Sequence, residues 1–174
     1  LNGRTKLGAI ARAGNVIGAG DTSLERLIPD IGRALESGAP LVVRYPQATR
    51  PWQHVLDCLR GYLAIIEATE QGSQTGFTWN IGPEEHSRAS VKEVVDLVAE
   101  LVSPRVFSVM YEPSELHETA SLALDSTRAR THLRWGNTFG LRESLALAVE
   151  APDLSEGKDI AQILQDHIRI AEAS

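Results

Sequence analysis

Between residues 44 and 57 the chain reads RYPQATRPWQHVLD, which sets two arginines, two prolines, a tryptophan and a histidine between apolar runs. Arginine offers a rigid fork of donors that meets a phosphate at two points, while tryptophan, proline and histidine provide flat walls for a ring or a sugar. A connection that leaves a strand and ends at a helix start is a natural place for a ligand. The same residues also fit a turn whose aromatic packs on the core, with Arg44 as an ordinary surface charge. Residue chemistry alone leaves both readings open.

Other chemistry-bearing residues are sparser. The histidines at 54, 86, 117, 132 and 167 show no paired metal spacing, and HETAS at 117–121 has a serine where a zinc helix needs its second histidine. No G-x-S-x-G nucleophile turn occurs. Cys58, between Leu56 and Leu59, reads as a partly buried structural thiol, and Glu84, Glu85 and His86 follow Gly82-Pro83 in an expected exposed turn. Gly14, Gly18 and Gly20 are spaced G-x-x-x-G-x-G behind a late strand, a weak match to a phosphate loop. No Tyr-x-x-x-Lys pair is present, because Tyr45, Tyr62 and Tyr111 are followed at the fourth position by Thr49, Ile66 and Glu115. The arrangement in which a lysine lowers a tyrosine's pKa for proton abstraction is therefore missing.

The elements that must position these groups follow from periodicity. Leu7 to Ala11 is a short apolar run closing on RAGNVIGAGD, a strand running into a loop. Leu24, Leu27, Ile28, Ile31 and Leu35 predict a helix over 24–37 with Gly38 as its C-terminal cap. PLVV at 40–43 predicts a strand, Val55 to Thr69 a helix, and FTWNIGP a strand entering a turn. Ser90 and Glu93 form a capping box ahead of Val91, Val94, Val95, Val98, Leu101 and Val102, the clearest amphipathic helix in the chain. Residues 105–111 predict a further strand. Asp125 or Ser126 caps a short helix ending near Leu133, Gly140 starts another, and a last helix spans about 158–171.

Bulk properties bound the partners. The chain of 174 residues is 43% hydrophobic and 23% charged, without an apolar run of membrane-spanning length, which fits one soluble globular domain. A net charge of −6 argues against nucleic acid as a partner. A single cysteine and no signal-peptide pattern make the cytoplasm the expected compartment, with no membrane partner. The chain begins at Leu1 and its only methionine is Met110, which reads as a processed start or as a piece of something longer.

In order along the chain, ARAGNVIGAGD, RLIPDIGRAL, PLVVRYPQATRPWQHVLDCLRGYL, WNIGP, HETASLALDSTRAR and LRW resemble the C-terminal half of CDP-glucose 4,6-dehydratases, members of the extended short-chain dehydrogenase/reductase group. The resemblance covers about residues 9–150. RPWQHVL ahead of GYL marks the dehydratase branch, whereas Arg-x-x-Asn-Val-x-Gly and Arg-x-Trp are common to many nucleotide-sugar epimerases and dehydratases.

The resemblance implies an α/β fold: an incomplete Rossmann-type parallel sheet in residues 1–22 with its following loop, and a small mixed lobe in 23–174 that grips a nucleotide-diphosphate sugar, together a single partial domain. It implies that Asn15 contacts the diphosphate or sugar, that Leu27 and Ile28 line the nucleobase pocket, and that Arg50 pairs with the diphosphate beside Trp52, Gln53 and His54. His117 and Glu118 fall where related enzymes place a second phosphate-side group. The family reaction converts CDP-glucose to CDP-4-keto-6-deoxyglucose with NAD and with acid/base groups from an upstream half. This chain alone is therefore expected to bind no NAD and to perform no complete reaction. Two departures stand out: Ala19 and Thr22 replace a glycine and a tryptophan usual in the branch, and residues 120–123 are small or aliphatic where a bulkier aromatic and a basic residue are usual. The competing reading is a non-catalytic remnant that binds a nucleotide or a protein. The apolar LGAIA strand favours the first reading, since a parallel neighbour from upstream would cover it, and it predicts self-association or instability of the isolated chain.

Overall fold

The computed structural model describes residues 8–72, 77–84, 88–112, 119–149 and 160–173. Its regular elements alternate short strands with helices: β1 (Ile10–Ala13), β2 (Asn15–Ile17), α1 (Leu27–Ser37), β3 (Leu41–Val43), β4 (Thr49–Arg50), β5 (Trp52–His54), α2 (Val55–Glu70), β6 (Thr78–Ile81), β7 (Ala89–Ser90), α3 (Val91–Leu101), β8 (Val109–Tyr111), α4 (Thr127–Leu133), α5 (Leu141–Val149) and α6 (Ile160–Ala173). Three pairs are parallel, β1 with β6, β2 with β5 and β3 with β8, and β4 pairs antiparallel with β7. Parallel pairing across intervening helices is the α/β pattern expected from the sequence.

Local chemistry explains most boundaries. In α1 the apolar stripe buries Ile31 and Ala34, and Gly38 closes the helix in the left-handed conformation with its N–H on the Ala34 carbonyl. The helix starts at Leu27 rather than Leu24 because Glu25, at φ +57, turns the chain just before it. In α3 the capping box is complete: Ser90 Oγ accepts from the Glu93 N–H at 3.1 Å, and the Ser90 N–H donates to the Glu93 carboxylate at 2.6 Å. The strand expected at 105–111 is confined to β8, and the one expected from Leu7 begins at Ile10 and is followed at once by β2.

Two apolar clusters hold these elements. One joins Ile17, Ile31, Leu41, Val43 and Trp52 to Val94, Val95 and Val98 of α3 and Leu145 of α5. The other packs Ile65, Trp79, Ile81, Ala129 and Trp135. Gly61 is required in the second, since a Cβ there would lie 2.7 Å from an Ile81 methyl. No helix among the described residues is long and apolar enough to cross a membrane.

Candidate functional site

The stretch 44–57 divides into two parts with opposite orientations. Its second part points inward. Trp52 Nε1 donates to the Ala89 carbonyl at 3.0 Å, and Gln53 Nε2 donates to the Ile81 carbonyl at 2.8 Å. His54 caps α2, its Nδ1 accepting from the Leu56 N–H at 3.3 Å, and its ring lies 4.4 Å from Phe139 and 5.4 Å from His167. That acceptor role places the imidazole proton on Nε2, and burial first, then the neighbouring His167, holds the His54 pKa down at about 4. All three side chains are buried, and none lines the three cavities described for the molecule.

Asp57, one turn into α2, completes this framework. Its buried carboxylate accepts from the Thr138 N–H at 2.8 Å and the Phe139 N–H at 3.1 Å, and its carbonyl accepts from Trp135 Nε1 at 2.9 Å. A carboxylate that collects backbone N–H groups fixes a loop, here the one leading into α5. Arg50 is also 8% exposed only, with Nη1 donating to the Thr49 carbonyl at 2.8 Å and to the Thr119 carbonyl at 2.9 Å. These bonds fix the plane of the guanidinium between β4 and the segment at 119–121. Asn15, half-buried in β2, stands in register with Trp52, and its N–H donates to the Pro51 carbonyl at 2.8 Å.

The first part of the stretch faces a cavity of about 580 Å³ along α1 and β3, lined on the α1 side by Leu24, Glu25, Leu27, Asp30 and Arg33 and on the other by Val42, Val43, Arg44 and Tyr45. Leu27 and Ile28, expected together in one pocket, line two different cavities: Leu27 this one, and Ile28 a separate one of about 540 Å³ together with Gly18, Thr22 and Arg105. Both also pack against the larger apolar cluster. Sequence reading left Arg44 open between a ligand group and a surface charge, and left Tyr45 and Leu24 out of the site. The signal for them was the position of Arg44 and Tyr45 directly behind the PLVV strand, opposite the helix that begins near Leu24. His117 and Glu118 lie outside the described residues, as do Glu85 and His86.

The glycines at 14 and 18 are explained by packing within the chain. A Cβ at Gly14 would lie 2.2 Å from the Pro51 carbonyl oxygen, and one at Gly18 would lie 3.0 Å from Val55. Close packing of β2 and its loop against β5 and α2 accounts for both. Among the described residues no group of three or more His, Cys, Asp or Glu is placed to hold a metal.

Comparison with known proteins agrees with this architecture. Residues 7–82 match the NAD dependent epimerase/dehydratase family. The CDP-glucose 4,6-dehydratase of Salmonella typhimurium is 36% identical over 143 residues, covering 82% of this chain and 40% of that protein. The crystal structure of UDP-glucuronic acid 4-epimerase from Bacillus cereus, in complex with UDP-glucuronic acid and NAD, superposes with a TM-score of 0.72 at 22% identity, over 82% of this chain and 44% of that one. The dTDP-glucose 4,6-dehydratase from Bacillus anthracis, in complex with NAD, gives 0.71 at 19% identity, over 86% and 45%. The chain thus spans less than half the length of these relatives, and the fold it has in common with the two structures is the Rossmann-like one. Strand pairing, sequence motifs and relatives agree in likening residues 7–82 of this chain to the NAD dependent epimerase/dehydratase family.

Proposed function

We propose that this chain is the nucleotide-sugar-binding portion of an enzyme resembling CDP-glucose 4,6-dehydratase, and that its ligand is a nucleotide-diphosphate sugar of the CDP-glucose kind. The observation that carries the reading is the cavity between α1 and β3, whose apolar walls at Leu24, Leu27 and Val42 and polar edge at Arg44 and Tyr45 suit a nucleobase. In this reading the base enters beside Leu27. Arg50, its guanidinium plane fixed by the Thr49 and Thr119 carbonyls, supplies charge for the diphosphate. Asn15 stands toward the sugar side, and Trp52, Gln53, His54 and Asp57 hold the frame rather than touch the ligand. The conversion of CDP-glucose to CDP-4-keto-6-deoxyglucose needs hydride transfer through NAD, which this reading assigns to the portion of such enzymes that the chain does not span. No step of that chemistry is assigned to residues described here.

Calorimetric titration of the purified chain with CDP and CDP-glucose tests the reading, with NAD and UDP-glucose as comparisons. Binding of the cytidine ligands in the absence of NAD is the expected result. A folded sample that binds neither would leave ancestry without ligand binding. Arg50→Ala is expected to weaken CDP-glucose by about tenfold or more, the scale of a lost charge-assisted pair. Unchanged affinity in that variant would remove Arg50 from the diphosphate site.

A further inference from the structure

Two arginines line the cavity between α1 and β3, and their surroundings differ. Arg33 is engaged within the protein: it donates to the Thr22 and Ser23 carbonyls and pairs with the Asp30 carboxylate. Arg44, at the exposed end of β3, makes no hydrogen bond or ion pair with any described residue. Around it the apolar wall residues Leu24 and Val42 are open, 77% and 46% exposed, and Glu25 and Asp30 line the same cavity, Asp30 paired with Arg33. An uncommitted guanidinium at the rim of an apolar slot recognises the edge of a flat group whose faces the slot covers.

We propose that Arg44 selects the nucleobase, donating two parallel hydrogen bonds to the N3 and O2 acceptors of cytosine. The inference rests on the reading of this cavity as a nucleotide site and adds a rule of discrimination to it. Cytosine presents N3 and O2 as adjacent acceptors, with the spacing that suits a guanidinium fork. Uracil and thymine carry a hydrogen on N3, so the fork meets a donor there and loses one of its two bonds. Sites built around directed hydrogen bonds reject an analogue that leaves a polar group opposed or unpaired. A lysine at this position would keep the charge and lose the fork.

The test is calorimetric titration of the wild-type chain, Arg44→Lys and Arg44→Met with CMP, UMP, dTMP and GMP, each variant first checked for unchanged circular dichroism. The wild type is expected to bind CMP about tenfold or more tighter than UMP and dTMP, the scale of one bidentate base contact. Both variants are expected to bring the ratio close to one, chiefly by weakening CMP. Equal weakening of CMP and UMP would assign Arg44 to the phosphates and overturn the proposal, as would an unchanged ratio in Arg44→Met, full discrimination in Arg44→Lys, or a preference for GMP. Wild-type binding of CMP and UMP alike would overturn base selection while leaving the nucleotide site standing. No binding of any nucleotide would overturn the nucleotide site and this inference together.

Discussion

His54 shows how a residue that looks reactive in sequence is committed to structure. Its Nδ1 caps α2, its ring is fully buried against Phe139 and His167, and its Nε2 has no partner among the described residues. The folded protein therefore holds it neutral, with a pKa of about 4 against an ordinary value of 6.5. Burial lowers the pKa of His167 as well, opposed by the adjacent Asp166. The folded state then binds fewer protons than the unfolded chain between about pH 6.5 and 4. Stability conferred by the neutral imidazole is fully present above pH 6.5 and is lost as pH falls through that window, on the order of 3 kcal/mol for His54. Urea midpoints measured at pH 7.5, 5 and 4 check this against His54→Asn, which keeps a capping acceptor and cannot titrate. A wild type and variant with the same pH dependence would show that His54 does not govern the acid sensitivity.

At the scale of elements, sequence and structure agree where local signals suffice. The Ser90 and Glu93 box is an example, because both bonds span only three residues. Ser90→Ala is expected to cost about 1 kcal/mol through the lost cap of α3, read as a lower urea midpoint with an unchanged slope. No change in midpoint would mean that packing of Val94, Val95 and Val98 alone sets the start of that helix. Gly38 and the 55–70 helix were legible for the same local reason. Of the short strands, β1, β3 and β6 were legible as apolar or β-branched runs, whereas β2, β4, β5 and β7 were not. In β5 the consecutive residues Trp52, Gln53 and His54 are all buried, which erases the alternation by which a strand is recognised. Their partners lie far along the chain, as when Trp52 reaches Ala89. The candidate site divides along the same line. Leu27 was named by the resemblance alone, whereas Arg44 and Tyr45 came into view as cavity walls only when β3 was set against α1. The inward turn of Trp52, Gln53 and His54 depends on carbonyls at 81 and 89 and a helix at 160–173, contacts that no local pattern encodes.

At the scale of the molecule, the surface is more apolar than the two interior clusters require. Leu59, Leu63 and Ile66 recur at helical spacing on α2 and are 48%, 58% and 53% exposed, and Ile10 of β1 is 60% exposed. An amphipathic helix ordinarily turns such a stripe toward a core, so the outer face of α2 and the start of β1 have the composition of an interface. The relatives that this chain matches are more than twice as long as the matched portion, and in the proposed reading their remaining part supplies the cover. When the chain is isolated, burying the stripe against a second copy is the available alternative. Sedimentation velocity over a hundredfold range of concentration is expected to show a reversible shift from monomer to dimer. Leu63→Glu, which places a charge in the middle of the α2 stripe, is expected to raise the midpoint of that shift by about tenfold or more, the effect of removing a buried leucine and burying an unpaired charge. A chain that stays monomeric throughout would show that the exposed stripe does not drive association. A dimer insensitive to the substitution would place the contact elsewhere, for instance at Val42 and Met110, adjacent in the β3–β8 pair and also exposed.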